Sequence, residues 1–468
     1  MKYSILLYIG LASANLYFNK FDDNLFQLNS RALNKELEPL WFNQTIDHEN
    51  DYSCTFRQKY FINEKYYKPG GPAFLFVGGE GPLSSLHVQH GNIIKLAKEN
   101  NGIIFGLEHR YYGDSQPFDE WTIDNLKYLS SLNGVKDVGN FVKNVINPTT
   151  NKPFENTKWI TIGGSYAGSL SVWIREEYPN DIFAAYASSA PVLATQDFYK
   201  YDQVIESALG PQCANDMNSI RQYMDSLYTN TTEFNKLKAD FECRDVEDNN
   251  TFLSTYTNLL SYVVQYNSQD LPPNINSICS GLVNQTEFQS KLNHIIQQTI
   301  LYWKNLNFTC SSESSLDGLK QTKVNSKSNQ RQWIYQCCTE FGYWQTAPKY
   351  GTSLRSQRLT VNWNYDTYCS DDIFGKKIGP AKTNFINSRF KALNSFTART
   401  IWVNGDLDPW HALSVTNTQN STLDRPIYLI EGGSHASDLN PDEPTDSVSL
   451  TDTRKKIRAD ISRWLKQS

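Results

Sequence analysis

The chain has 468 residues, 39% of them hydrophobic and 13% aromatic, with a formal net charge of -5. That length suits one large α/β domain carrying an insertion, and the aromatic content provides a core that a disordered chain of similar polarity lacks. The mild acidic balance offers no basic footprint, so nucleic acid is excluded as a partner. Residues 1–14 place Lys2 ahead of a short apolar core, Ser4 to Leu11, and end on Ala12-Ser13-Ala14. This is the order of a cleaved secretory signal. The run is too short to span a bilayer and no longer one follows. The mature chain is therefore expected off the membrane, secreted or lysosomal.

Residues 15–70 read as an irregular leader giving way to strands, one of them at Thr55–Phe61. Ala73–Val77 forms a strand closed by a glycine loop. A helix over Ile93–Glu99, a strand over Ile103–Leu107 and a helix over Leu132–Val145 follow. Trp159–Ile162 is the next strand, Ser169–Glu177 a helix and Phe183–Ala187 another strand. This alternation predicts a mostly parallel sheet with helices on both faces. From 200 to 385 the pattern becomes helical, as at Tyr201–Leu209, Met217–Leu227 and Phe288–Lys304. Seven of the eight cysteines lie in that span, with Cys54 outside it. An even count fits disulfides, and the adjacent Cys337 and Cys338 are expected to take different partners. No zinc-type spacing occurs, and neither a metal nor a cofactor is expected. The sheet resumes at Arg399–Val403 and Ile427–Ile430, and a last helix covers Thr451–Trp464. Sequons begin at Asn43, Asn230, Asn249, Asn284, Asn307 and Asn420, sites for glycans in a secreted chain.

The strongest local signal is Gly163-Gly164-Ser165-Tyr166-Ala167-Gly168. It meets G-x-S-x-G in part, Ala167 standing at the fifth position, and G-S-x-x-G through Gly164, Ser165 and Gly168. A strand running into a tight small-residue turn and then a helix lifts the serine to a strained tip where a base can reach it. The plain alternative is a glycine turn that binds an anion. A serine nucleophile needs a base, and the base needs an orienting acid. Each follows an apolar strand near the end of the chain: Asn404-Gly405-Asp406-Leu407-Asp408-Pro409-Trp410, then Glu431-Gly432-Gly433-Ser434-His435. The order Ser, Asp, His is that of α/β-hydrolases. The expected architecture is an α/β-hydrolase domain, residues 15–199 and 386–468, around a large, mainly helical, disulfide-linked cap at 200–385. Asp406 competes with Asp408 as the acid, Pro409 favouring the latter. His87 and His90 follow a glycine loop placed to edge the site; His48, His294 and His411 are poorer base candidates. Oxyanion donors are expected from the Tyr166 amide and from the Gly78–Pro82 loop at Gly81, a loop in which Glu80 supports the site. Glu108 and Arg110 are read as a buried pair bracing it.

GGSYAG, EHRYYGDS, NGDLDPW and GGSHASDL, spaced in this order, resemble the prolyl-oriented serine exopeptidases, the group of lysosomal Pro-X carboxypeptidase, dipeptidyl peptidase II and thymus-specific serine protease. The resemblance covers nearly all of the mature chain. GSLSVWIREEYP, ASSAPVLATQDF and CCTEFGYWQT are most similar to the thymus-specific branch. It implies a nucleophile at Ser165, an acid at Asp408 rather than Asp406, and a base at His435. Ser434 stands where some relatives carry a second histidine. A helical cap between nucleophile and acid is implied as well.

The implied substrates are peptides, cut after proline by removal of a C-terminal residue, or alternatively by release of an N-terminal dipeptide. An esterase and a non-catalytic binding protein are the readings from other classes. Trp410 and Tyr166 are candidate aromatic walls for a pyrrolidine ring. A terminal carboxylate would need a donor such as Arg331 or Lys349, and a terminal ammonium an acid such as Glu340 or Asp366. The sequence assigns no oligomeric state; a homodimer is one candidate.

Overall fold

Short apolar runs stopped by glycine, proline or asparagine supply eight strands that join one sheet. The computed structural model describes residues 37–50, 54–148, 150–267 and 272–467, and the expected signal at 1–14 lies outside them. The strands are β1 (Leu40–Thr45), β2 (Thr55–Asn63), β3 (Ala73–Val77), β4 (Ile103–Leu107), β5 (Trp159–Gly164), β6 (Ile182–Ser188), β7 (Thr400–Gly405) and β8 (Ile427–Ile430). Their spatial order is β1-β2-β4-β3-β5-β6-β7-β8. The β1–β2 and β2–β4 pairs are antiparallel; every later pair is parallel. The sequence pattern does not mark β1, because Asn43 and Gln44 interrupt its apolar residues; pairing with β2 from Leu40↔Tyr60 to Thr45↔Thr55 holds it at the edge.

Five helices of the sheet unit matter below: α1 (Asn92–Asn100), α2 (Ser131–Asn144), α3 (Ser165–Glu177), α4 (Gln330–Gln336) and α5 (Val448–Lys466). Strand pleating sends successive side chains to opposite faces. Ile104 and Ile160 thus join Phe74, Ile162 and Ile401 in a core with Leu96 of α1 and Ile457, Ile461 and Trp464 of α5. Their neighbours Phe105 and Trp159 meet Phe141 of α2, with centroids 6.0 and 6.4 Å away. Each large apolar side chain so buried contributes roughly 1.5–3 kcal/mol. β4 and β7 are buried along their whole length, the pattern of central parallel strands covered on both faces. The architecture is that of an α/β-hydrolase.

The chain forms two compact units. One holds the sheet and comprises the described residues up to Thr195, Thr322–Gly342, and those from Ala381 onward. The other comprises Gln196–Gln321 and Tyr343–Pro380. Thr322–Gly342, inside the 200–385 span read from sequence as one insertion, therefore groups with the sheet. The second unit is helical, with long helices at Pro211–Leu227, Asn249–Tyr266 and Phe288–Asn305. Disulfides Cys213–Cys279 and Cys243–Cys310 tie it together. Within it the buried Arg355 guanidinium lies 3.1 Å from Asp202 and donates to Thr257 Oγ1 at 2.8 Å. The expectation that Cys337 and Cys338 both pair does not hold. Cys338 is disulfide-bonded, whereas Cys337 is a buried free thiol and Cys54 an exposed one. The two thiols left over stand in different surroundings, one exposed and one buried, and form no bond to each other.

Candidate active site

Ser165 follows β5 directly and is the first residue of α3, four positions before the helix start expected from sequence. Its φ is 55°, in the left-handed region that costs a side-chain-bearing residue about 1–2 kcal/mol. Small neighbours make the conformation fit. A Cβ on Gly163 would strike the Ala167 carbonyl, and one on Gly168 would sit 2.7 Å from the Ser188 carbonyl oxygen. The first amides of a helix lack intrahelical acceptors, and those of Tyr166 and Ala167 stand in this first turn, next to the serine.

Ser165 is only 7% exposed and lines a cavity that also receives His435, His87, His90 and the glycine loop after β3. His435 follows β8, and Asp408 follows β7; all these segments leave the carboxyl ends of parallel strands, where open α/β sheets hold their ligands. Asp408 is fully buried. Its Oδ1 accepts the Trp410 amide at 3.0 Å and lies 2.9 Å from His435 Nδ1. The structure thus brings Asp408, and not Asp406, to the imidazole. Asp406 is less buried, its amide donates to the Ile430 carbonyl, and desolvation raises its carboxyl pKa.

The loop bearing His435 is clamped by groups that sequence reasoning missed. The Ala436 amide donates to Ser189 Oγ at 2.9 Å. Buried Asp438 accepts from Ser188 Oγ at 2.7 Å and from the Tyr186 hydroxyl. Burial raises the pKa of Asp438, an effect its two hydroxyl donors oppose. From the other side, Arg454 of α5 donates to the carbonyls of Asp438 and Ser437. The only sequence trace was Ser188-Ser189, a polar pair closing an apolar strand.

The glycine loop is anchored from beneath. Glu108 Oε1 accepts the Leu83 amide at 2.9 Å, and its other oxygen accepts the amides of Asp114 and Ser115, each at 2.9 Å. The expected Glu108–Arg110 pair does not form. Lys59 Nζ takes Glu108 at 2.6 Å, while Arg110 Nε donates to Asp137 at 2.7 Å, as does His48 Nε2. Burial still raises the Glu108 pKa despite Lys59. Desolvation also works against charge on Asp137, yet Arg110 and His48 hold its pKa below the ordinary value. Gly81 and Glu80 both line the cavity, but Gly79 is the loop residue that abuts Ala167, 3.4 Å from an added Cβ.

Neither expected aromatic wall lines this cavity. Trp410 is buried and contributes its amide to Asp408. The Tyr166 ring packs against Trp333 and Phe341. Its hydroxyl accepts from Gln336 Nε2 of α4 at 3.0 Å and lies 3.1 Å from His109 Nε2. Burial lowers the His109 pKa to about 4, so the ring is neutral at higher pH. Its Nδ1 faces the Arg110 carbonyl at 2.8 Å and must carry the proton, which makes Nε2 the acceptor of the Tyr166 hydroxyl. Arg331 is also away from the cavity, its Nε donating to the Trp121 carbonyl.

Residues 44–457 match the family described as serine carboxypeptidase S28. The chain is 31% identical to the putative serine protease K12H4.7 of Caenorhabditis elegans, over 91% of this chain and 87% of that protein. It is likewise 31% identical to the thymus-specific serine protease of Mus musculus, with 91% and 87% covered. Identity to the lysosomal Pro-X carboxypeptidase of Pongo abelii is 27%, over 93% and 90%. The chain belongs to the serine carboxypeptidase S28 family and is a serine-type peptidase acting on peptides.

Proposed function

We propose that the protein is a serine exopeptidase of carboxypeptidase type, acting on Pro-containing peptides with Ser165 as nucleophile, His435 as base and Asp408 as acid. The observation that carries this reading is the 2.9 Å approach of His435 Nδ1 to buried Asp408, with His435 sharing a cavity with the strained Ser165. Asp408 fixes the ring so that Nε2 takes the proton of Ser165 Oγ as the oxygen attacks the peptide carbonyl. Amides of Tyr166 and of the Gly79–Gly81 stretch receive the developing oxyanion. His435 then protonates the leaving amine, and water repeats the cycle to free the enzyme. The family description and the name of the Pro-X relative support the carboxypeptidase mode and the preference for proline. Disulfides, and the lack of any membrane-length apolar helix among the described residues, are compatible with a secreted or lysosomal setting. Dipeptidyl release is the second reading, favoured by Glu80, a cavity-lining acid suited to a terminal ammonium.

A fluorophosphonate probe should label Ser165 in the folded protein, and Ser165→Ala should abolish labelling and lower turnover by about three orders of magnitude or more. Pro-containing peptides with one or both ends blocked then decide the mode. At pH 5, loss of cleavage on C-terminal amidation alone supports the proposal, loss on N-terminal acetylation alone selects the dipeptidyl reading, and cleavage with both ends blocked refutes both.

A further inference from the structure

We propose that His90, as its imidazolium, anchors the free C-terminal carboxylate of the substrate; this rests on the carboxypeptidase reading above. Besides His435, the ionisable side chains lining the cavity of Ser165 are Glu80, His87 and His90, and no lysine or arginine lines it among the described residues. A carboxylate that leaves water for such a site needs a charged or strong donor there. The basic residues singled out from sequence are engaged elsewhere. Arg331 is 1% exposed and bonded to the Trp121 carbonyl, and Lys349 lies over the Tyr350 ring in the helical unit.

Of the two imidazoles, His87 is committed to the wall. Its Nδ1 completes a capping box with Ser84, and its ring packs on Phe76 at 4.9 Å. His90 stands at the turn into α1. The next residue, Gly91, has φ 82° and packs so closely on the Leu439 carbonyl that a Cβ there would strike it. Leu439 and Asn440 close the loop that begins with His435, and both line the cavity. The proposed anchor therefore adjoins the segment that delivers a proton to the leaving amine. In a carboxypeptidase the departing residue carries both that amine and the terminal carboxylate, so the two contacts belong to one leaving group.

Burial lowers the pKa of His90. The other ionisable groups lining the cavity are Glu80, His87 and His435, and the Lys95–Asp442 ion pair lies in the first turn of α1. None of these offsets the desolvation, so the ring takes its proton below the ordinary histidine range unless a carboxylate binds. The subsite then operates in acid and fails near neutrality.

The test uses an N-acetylated peptide ending in Pro-Phe and its C-terminal amide, with KM measured for both at pH 5 and pH 7.5. Taking the ratio of amide to acid cancels the titration of His435. In the wild type the ratio should be about tenfold or more at pH 5, the worth of a charge-assisted hydrogen bond, and near one at pH 7.5. His90→Gln should bring it near one at both pH values. His90→Arg should hold it high at both, a gain that a misfolded protein does not produce. A His90→Gln ratio equal to wild type at pH 5, or a wild type indifferent to amidation, overturns the proposal. Fluorophosphonate labelling separates the two levels. Labelled Ser165 with a wild-type preference for the free acid that His90→Gln leaves unmoved removes only the role of His90; labelled Ser165 with a wild type indifferent to amidation removes the carboxypeptidase reading; an unlabelled wild type removes the peptidase mechanism and the anchor with it.

Discussion

Two aspartates stand two positions apart after β7, and their surroundings differ. Asp408 is sealed from water and fixed by the Trp410 amide, so its second contact is made to an imidazole held in one orientation. Asp406 keeps partial access to solvent. Asp408→Asn should therefore lower kcat by about four orders of magnitude, because the amide no longer enforces the tautomer that the base requires. Asp406→Asn should leave kcat within a few-fold of wild type. Steady-state kinetics of the two variants settles the assignment, and equal losses would refute it. The serine, the histidine and both aspartates were legible in the sequence, since each follows an apolar strand and ends in a glycine- or proline-marked turn. Residue spacing left the choice between the acids open, the family resemblance pointed to Asp408, and the structure places Asp408 nearer to His435.

At the scale of elements, the His435 loop depends on β6 and α5 rather than on its own strand. Asp438 binds two β6 hydroxyls, and Arg454 binds two loop carbonyls. Asp438→Asn preserves shape but removes the charge that both hydroxyls donate to. We expect kcat to fall about tenfold with KM nearly unchanged, in line with a charge-assisted hydrogen bond lost behind the base. A change confined to KM, or to thermal stability, would argue against a positioning role. Beyond the Ser188-Ser189 pair little of this was legible, because Asp438 and its β6 partners are about 250 residues apart and a buried aspartate in GGSHASDL reads as a loop acid. The mispairing of Glu108 with Arg110 has the same cause: their partners arrive from β2 and α2. Seven of the eight strands were legible as apolar runs between turn residues, and only the polar edge strand β1 escaped.

For the molecule as a whole, the segment at 322–342 carries a partly buried carboxyl. Glu340 accepts from the amide and hydroxyl of Ser131, and burial raises its pKa from 4.5 to about 7. The folded state then binds more protons than the unfolded one between those values, so stability falls as pH rises through that window. The full penalty is on the order of 3 kcal/mol at most. His109 acts in the opposite sense. With its pKa lowered from 6.5 to about 4, its contribution is complete above 6.5 and is lost as pH falls towards 4. Glu340→Gln should flatten the decline of stability between pH 5 and pH 8, measured by urea denaturation, while His109 keeps its acid limb. An unchanged slope would show that Glu340 stays charged at no cost. The thiols offer a second reading of the same interior. One equivalent, Cys54, should react with a thiol reagent in the native protein, and Cys337, whose thiol burial pushes to high pKa, only after unfolding. Two fast equivalents would contradict the burial of Cys337.

The placement of the proposed acid and base behind β7 and β8, the last two strands at one edge of the sheet, bears on how the protein is made. A chain is synthesised from its N-terminus at about 5–20 residues per second. Ser165 emerges early, while Asp408 and His435 come only after the whole helical unit. On the proposed triad, the elbow serine has no base throughout that interval, and the unfinished chain cannot attack its neighbours. On the same reading the order of the strands acts as a delay, and a message truncated before His435 would yield a silent product rather than an unregulated one.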